Sequence, residues 1–507
     1  MNLSGIIDHG AFNFKDKIAL IYGENQYTYR RLRFAIDRIA SYLREQGIGR
    51  RDRIVIFMPN RPEWILVYYG IIRMGAVAVC VSSACKQKEV EHLLNDSLAC
   101  LMITCLELLP QVPKQDSIPT VKDIVVLEND RVLSSVLDTR STENEPFVPV
   151  DCDVEDECAI LFTGGTTGTP KGAMLTHSNI FFTSQNVCYH ERAVPDDVAL
   201  CFMPLNHVFG GNHIMNSTFY ACGTLVLHKS FDMDRVLSSI QAQKITRFYS
   251  VPTVFIRLLN TPGIRNYLSS VSYCFSAATS MASEIVRQWK DMFGLTIHEA
   301  YGMTETSSLV TFNHLYRHKV GSVGTPAGVV EVKIIDPDDN EVAVGESGEI
   351  VIRGPNIMKG YFNKAEETAR VLRNGWLHSG DVGRLDQDGY LYIVDRIKDM
   401  IISGGLNVYP TEVEEVLYTH PAVEECAVVG MPHAEYGEAV TAYVKVKQRQ
   451  SCSENDLITF CKEKIASYKA PKKVLFVNEF PKSPAGKILK REIRRSFAQH
   501  QKQSDGK

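Results

Sequence analysis

No two of the chain's 13 cysteines are separated by two residues, and none is spaced with histidine as in a zinc site. An odd number of dispersed thiols excludes a disulfide-framed domain. It points instead to a reducing compartment in which most thiols are small buried apolar groups. Positive charge is not in excess: the formal net charge is −4 over 507 residues, which argues against a dedicated nucleic-acid binder. The N-terminal stretch MNLSGIIDHGAFNFKDK lacks a basic segment followed by an apolar core, so no signal peptide is expected. The C-terminal QHQKQSDGK is not a peroxisomal Ser-Lys-Leu ending. The longest apolar stretch, Trp64 to Val81, is interrupted by Arg73 and two glycines. It reads as a helix followed by a strand rather than a membrane span. With 45% hydrophobic and 22% charged residues and no repeat, the chain is expected to be a soluble cytoplasmic protein, too long for a single core.

The most informative segment is LFTGGTTGTPKG at 161–172, where four glycines and four threonines fall between Thr163 and Gly172. It follows a short apolar run, Ala159 to Phe162, that reads as a buried strand. Glycines let backbone N–H groups converge, while threonine hydroxyls and a lysine add donors and charge, which is the chemistry of a loop around a polyphosphate. It is not the usual GxxxxGK[ST] loop, because Pro170 precedes Lys171 and Gly172 follows it. Pro170 has no N–H and disfavours a helical Thr169, so the segment should remain a loop between two strands.

Strand-like runs at 52–58, 76–81, 99–105 and 123–127 alternate with helical patterns, one of them opened by Pro62. The alternation returns after the glycine loop with strands at 198–203, 224–228, 247–251 and 271–275. This predicts βαβ units and a largely parallel sheet. Between about 320 and 395, short strands joined by Gly, Asp and Pro read as a β-rich subdomain. From about 399 a compact α+β unit follows. The expected fold is therefore α/β, with a large N-terminal domain (1–395) of mostly parallel sheets flanked by helices and a small C-terminal domain (396–507).

Further motifs stand in order along the chain: YGMTE at 301–305, GDVGRLDQDGYLYIVDRIKD at 380–399, SGGLNVYPTEVE at 403–414 and PKSPAGKILKRE at 481–492. With the glycine loop, these resemble the adenylate-forming superfamily, which includes acyl- and aryl-CoA synthetases, peptide-synthetase adenylation domains and beetle luciferases. The likeness runs from about Tyr27 to Arg495. It implies ATP and Mg²⁺ as cofactors, CoA as co-substrate, a carboxylic acid as substrate, and a C-terminal domain that swings about a hinge near 396–398.

The resemblance also implies roles. Thr163, Gly164, Gly165, Thr166, Thr167, Gly168 and Lys171 would wrap the leaving pyrophosphate. Within Tyr301, Gly302, Met303, Thr304 and Glu305, the tyrosine would pack on adenine, Thr304 would bond the α-phosphate, and Glu305 would hold Mg²⁺. A single carboxylate beside phosphate oxygens suits magnesium. Read alone, YGMTE is also compatible with a helix N-terminal turn capped by Thr304. Asp381, between glycines in what reads as a turn, would accept the ribose hydroxyls, with Arg396 and Ile393 nearby; an ordinary Asx-turn is the alternative. Ser276, Ala277 and Ala278 match the stretch lining the adenine and acyl pockets. Lys487, in a Pro/Gly turn, would bind the carboxylate and the α-phosphate. On residues alone it is equally a surface lysine in a basic tail.

His207 would sit at the mouth of the acid pocket, with Gly210, Gly211 and Asn212 leaving room for a chain; a core histidine is the alternative. Ser403, Gly404 and Gly405 would line the path of the CoA thiol. Eleven Lys/Arg against three acids between Lys462 and Arg495 offer a basic face for CoA phosphates or an acyl carrier protein. The expected activity is AMP-forming ligation of a fatty or aryl acid to CoA. The rivals are loading of a carrier-protein phosphopantetheine, γ-phosphoryl transfer, and non-catalytic nucleotide binding.

Overall fold

The computed structural model describes residues 1–128, 146–163, 170–396, 399–433, 436–483 and 486–495. Two large sheets and a smaller antiparallel one share a single hydrophobic core, and a second set of buried residues begins at Ile401.

The first sheet has seven strands. Its parallel part runs Glu157–Thr163, Val77–Val81, Arg53–Phe57, Leu101–Thr104, Asp123–Val126, and antiparallel Lys171–Thr176 and Gly360–Tyr361 extend it. Val77–Val81 is buried at every position, as expected of a central parallel strand covered on both faces. The helix before it starts at Pro62, where the missing N–H costs nothing and the fixed φ suits a first turn.

The second sheet has nine strands, six of them parallel. Ile297–Tyr301, Tyr273–Ser276, Arg247–Ser250, Val198–Cys201, Thr224–Leu227 and Ile18–Tyr22 lie side by side. The register Ser250↔Ser276↔Glu299 aligns the carboxyl ends of three adjacent strands along one edge. In open parallel sheets that edge is where ligands collect.

The β-rich subdomain is an antiparallel sheet of Glu331–Ile335, Gly348–Arg353, Trp376–Leu385, Leu372–Arg373 and Leu391–Arg396. The sequence did not suggest Trp376–Leu385 as a strand, because its HSGDVG centre has the composition of a turn. Gly380 takes φ +72° there and the pairing shifts register, so the polar centre is a bulge within a continuous strand.

Beyond residue 400, helices Pro410–Tyr418 and Glu454–Lys464 pack on a five-stranded sheet with its own core of Ile401, Val413, Leu417, Val428 and Leu457. All thirteen cysteines are free thiols. Among the described residues no helix is long and apolar enough to cross a membrane.

Candidate active site

The YGMTE motif begins at the carboxyl end of a parallel strand. Tyr301 closes the strand Ile297–Tyr301, and one 3₁₀ turn, Thr304–Thr306, follows. The residue before that turn is Met303, whose N–H donates to Thr306 Oγ1 (3.0 Å), so Thr304 is not a cap. Gly302 lies against the Ser308 carbonyl, and the buried Asn212 amide donates to the Ser307 carbonyl (3.3 Å), fixing the turn from below. This geometry leaves Thr304 partly exposed at the rim and Glu305 buried.

Glu305 is joined to Lys171 through a residue that the motifs did not single out. The Tyr361 hydroxyl donates to Glu305 Oε1 (2.7 Å), and the Lys171 ammonium lies 5.2 Å from the centre of the Tyr361 ring. Lys171, the first residue of its strand and paired with Thr163, is buried and forms an ion pair with Glu367. Burial raises the Glu305 carboxyl above its ordinary value, and the Tyr361 bond opposes the rise. A cation held beside Glu305 would favour the carboxylate in the same way. Gly164, Gly165, Thr166, Thr167 and Gly168 lie outside the described residues.

On the other flank of the motif, the Tyr301 hydroxyl donates to Asp381 Oδ2 (2.6 Å), while Arg396 Nε stands 3.1 Å from Asp381 Oδ1. Asp381 pairs in register with Arg396 across two strands, so it sits at a strand bulge and not in the turn the sequence suggested. A bulge re-aims one side chain without ending the ladder, which brings both residues to Tyr301. Ile393, further along the Arg396 strand, pairs with Gly383 and packs on the main core.

His207, expected at the acid pocket, is set in the segment that follows the strand Val198–Cys201. Burial, with the charge of Lys487 as a second cause, lowers its imidazole to about 4, so it is neutral near pH 7. The charge of Lys487, carried by the C-terminal unit, is thus felt at His207. The lysine's turn is set by Gly486 N–H donating to the Ser483 carbonyl and by the Lys487 N–H donating to Ser483 Oγ. A Cβ added at Gly486 would stand 2.8 Å from Val251 Cγ2, so the turn lies tight against the residue that follows Ser250. A second contact joins the same units: Ser283 N–H, at the start of the helix Ser283–Phe293, donates to Glu415 of the helix Pro410–Tyr418 (3.3 Å).

The glycines after His207 do something other than expected. Phe209–Asn216 is a wide π-helical segment, in which a Cβ on Gly210 would stand 2.2 Å from the Pro204 carbonyl oxygen. A Cβ on Gly211 would stand 2.5 Å from the Leu205 carbonyl oxygen. The chain's own backbone thus requires glycine at both positions, whatever the segment borders on its other side. Asn212 likewise spends its amide on Ser307.

Ser276 is buried at its strand end, Ala277 is partly buried, and Ala278 is exposed with φ +73°. Ser403, Gly404 and Gly405 form the tip of a hairpin between Ile401–Ser403 and Leu406–Val408, where the Gly404 N–H donates to the Tyr436 carbonyl. That tip stays with the C-terminal unit. Tyr361, Glu367 and Glu299 were the residues missed. Only Tyr361, two residues after Lys359 in a KGYF run, stands near anything resembling a motif.

Residues 7–362 match the AMP-binding enzyme family, and residues 412–487 match the AMP-binding enzyme C-terminal domain. The chain belongs to the AMP-binding enzyme family. Within it, the chain is 37% identical to a feruloyl-CoA synthase of an Amycolatopsis species over 94% of this chain and 96% of that protein. It is 33% identical to a long-chain-fatty-acid–CoA ligase of Bacillus subtilis over 97% and 94% of the two. The fold matches a crystal structure of the anthranilate CoA ligase AuaEII in complex with anthranoyl-AMP, with a TM-score of 0.92, 28% identity, and 98% and 97% coverage. Mostly parallel sheets, β-rich subdomain and C-terminal unit are thus the family's architecture.

Glu299, two residues before Tyr301, carries a testable charge. Its Oε1 accepts from Met281 N–H (3.2 Å), while among the described residues Oε2 and its register neighbours Ser276 Oγ and Ser250 Oγ have no hydrogen-bond partner. Burial first, and the negative charge of Glu415 across the interface, raise its carboxyl from 4.5 to about 8. Across that window the folded protein keeps a proton that the unfolded chain has released, so stability falls as pH rises through it. Glu299→Gln should flatten this decline. Thermal unfolding followed over the same window should show a smaller loss of Tm in the variant than in the wild type, and equal slopes would contradict the assignment.

Proposed function

We propose that the protein is an AMP-forming carboxylate–CoA ligase acting on an aryl or fatty acid. The observation that carries this reading is that Lys171, Tyr361 and Glu305 on one flank of the YGMTE motif and Tyr301, Asp381 and Arg396 on the other are held together, with the turn that carries Lys487 set against Val251.

In the first step a carboxylate oxygen attacks the α-phosphorus of ATP and the bond to pyrophosphate breaks, giving acyl-AMP. Two anions must meet, so cations and donors that hold them in line supply most of the catalysis. Lys487 neutralises the acid and the α-phosphate together. Thr304, at the rim, donates to that phosphate. Lys171 takes charge from the departing pyrophosphate, and Asp381 accepts the ribose hydroxyls, exchanging its bond from Tyr301. Glu305 would hold Mg²⁺, which supplies charge neutralisation on the phosphates; Tyr361 keeps that carboxylate oriented. His207, neutral, adds no further positive charge beside Lys487.

In the second step the CoA sulfur attacks the acyl carbon, the bond to AMP breaks and the thiol proton leaves. For this the C-terminal unit would turn about the segment near 396–398, withdrawing Lys487 and bringing Ser403, Gly404 and Gly405 to the thiol's path. Activation is needed because carboxylate oxygen is a poor leaving group and AMP a good one.

Incubation with ATP, CoA and a panel of aromatic and short- to long-chain acids should release AMP and pyrophosphate and form a thioester; release of ADP would refute the assignment. Lys487→Ala should abolish adenylate formation while sparing thioester formation from supplied acyl-AMP, and equal loss of both would contradict its role. Tyr361→Phe removes one hydrogen bond to a buried carboxylate, a loss of about 1.5–3 kcal/mol. It should therefore raise the Mg²⁺ concentration for half-maximal adenylation by roughly tenfold or more. An unchanged magnesium requirement would show that the tie is dispensable.

A further inference from the structure

Lys171 is already engaged before any nucleotide arrives. Its side chain is only 9% exposed, and its ammonium is paired with Glu367, whose side chain is 37% exposed. Glu367 belongs to the short helix Ala365–Val371, and three contacts hold that helix in place. Lys364 pairs with Asp96 (2.7 Å), Thr368 Oγ1 donates to the Lys364 carbonyl (2.8 Å), and the Tyr361 N–H donates to Thr368 Oγ1 (2.9 Å). Glu367 is thus presented to Lys171 by a fixed element that also positions Tyr361. The lysine draws the Glu367 carboxyl below its ordinary value, chiefly by a side-chain hydrogen bond, so it stands opposite as a carboxylate.

On the reading of Lys171 as the pyrophosphate countercharge, we propose that Glu367 is a positioning residue that occupies Lys171 in place of polyphosphate and sets the affinity for ATP and pyrophosphate. The asymmetry of burial gives the direction of exchange. Lys171 is nearly buried with its ammonium over the Tyr361 ring, whereas Glu367, about one-third exposed, can rotate into water at little desolvation cost. An incoming polyphosphate displaces the carboxylate. When pyrophosphate departs, Glu367 returns, so that a nearly buried ammonium is not left without an anion. The exchange costs nucleotide affinity what the pair contributes. It also opposes tight retention of the first product.

The test is direct binding to the purified full-length protein, by titration calorimetry with Mg²⁺. The ligands are α,β-methylene-ATP, inorganic pyrophosphate and AMP, and the proteins are wild type, Glu367→Gln and Glu367→Asp. Glu367→Gln keeps the shape and removes the charge. It should tighten both the ATP analogue and pyrophosphate by roughly three- to tenfold, the range expected for a partly exposed ion pair. AMP has no β- or γ-phosphate for Lys171, so its Kd should stay the same. Glu367→Asp should remain near wild type. Unchanged or weaker pyrophosphate binding in Glu367→Gln, or an equal shift for AMP, would overturn the proposal. These binding constants do not depend on turnover, so AMP formation by the wild-type protein judges the ligase assignment separately.

Discussion

A single hydroxyl, that of Tyr361, ties together the two charges proposed to manage a nucleotide triphosphate. It bonds Glu305, and its ring lies beneath the Lys171 ammonium. Both groups are buried, where an unpartnered charge is costly. The tyrosine stands between a carboxylate and an ammonium, bonding the first through its hydroxyl and facing the second with its ring, while Glu367 pairs with the ammonium. The strand Gly360–Tyr361 that presents this residue is itself held by pairing with Ala173 and Met174 and by the Met358 N–H donating to the Glu305 carbonyl.

The same economy recurs away from the site. Glu191, Arg247, Asp197 and His213 are buried together beneath the nine-stranded sheet, with the Tyr249 hydroxyl completing the group. Arg73, fully buried, is enclosed by Asp37 and Asp8. The first of these clusters is closed, each charge answering another inside the fold, whereas the second reaches the surface through the partly exposed Asp8.

Among the described residues the C-terminal unit meets the rest of the chain at several polar and apolar contacts, including Thr411, whose N–H and hydroxyl donate to Asp395. The Gly486 turn lies against Val251, and Glu415 accepts from the first turn of a helix that begins beside the ends of the parallel strands. The charge of Lys487 is felt at His207 across the same boundary.

What the sequence determined by itself was periodicity and punctuation. Val77–Val81, the Pro62 helix and the parallel strands at 247–250 and 273–276 were legible because buried strands are short apolar runs and because proline starts a helix. The ordered motifs named the family. What only the tertiary structure decided was which polar residues meet. HSGDVG has the composition of a turn, yet pairing with Leu391–Arg396 draws it into a strand and turns Asp381 toward Tyr301. Gly210 and Gly211 read as room for a substrate, yet at each the place of a Cβ is taken by a backbone carbonyl six residues earlier. Glu367 and Lys171 are 196 positions apart, and no local pattern encodes their pairing. Local composition fixes what a segment prefers. Long-range pairing of buried charge fixes which preference survives, because only the folded chain sets the desolvation cost of leaving a partner out.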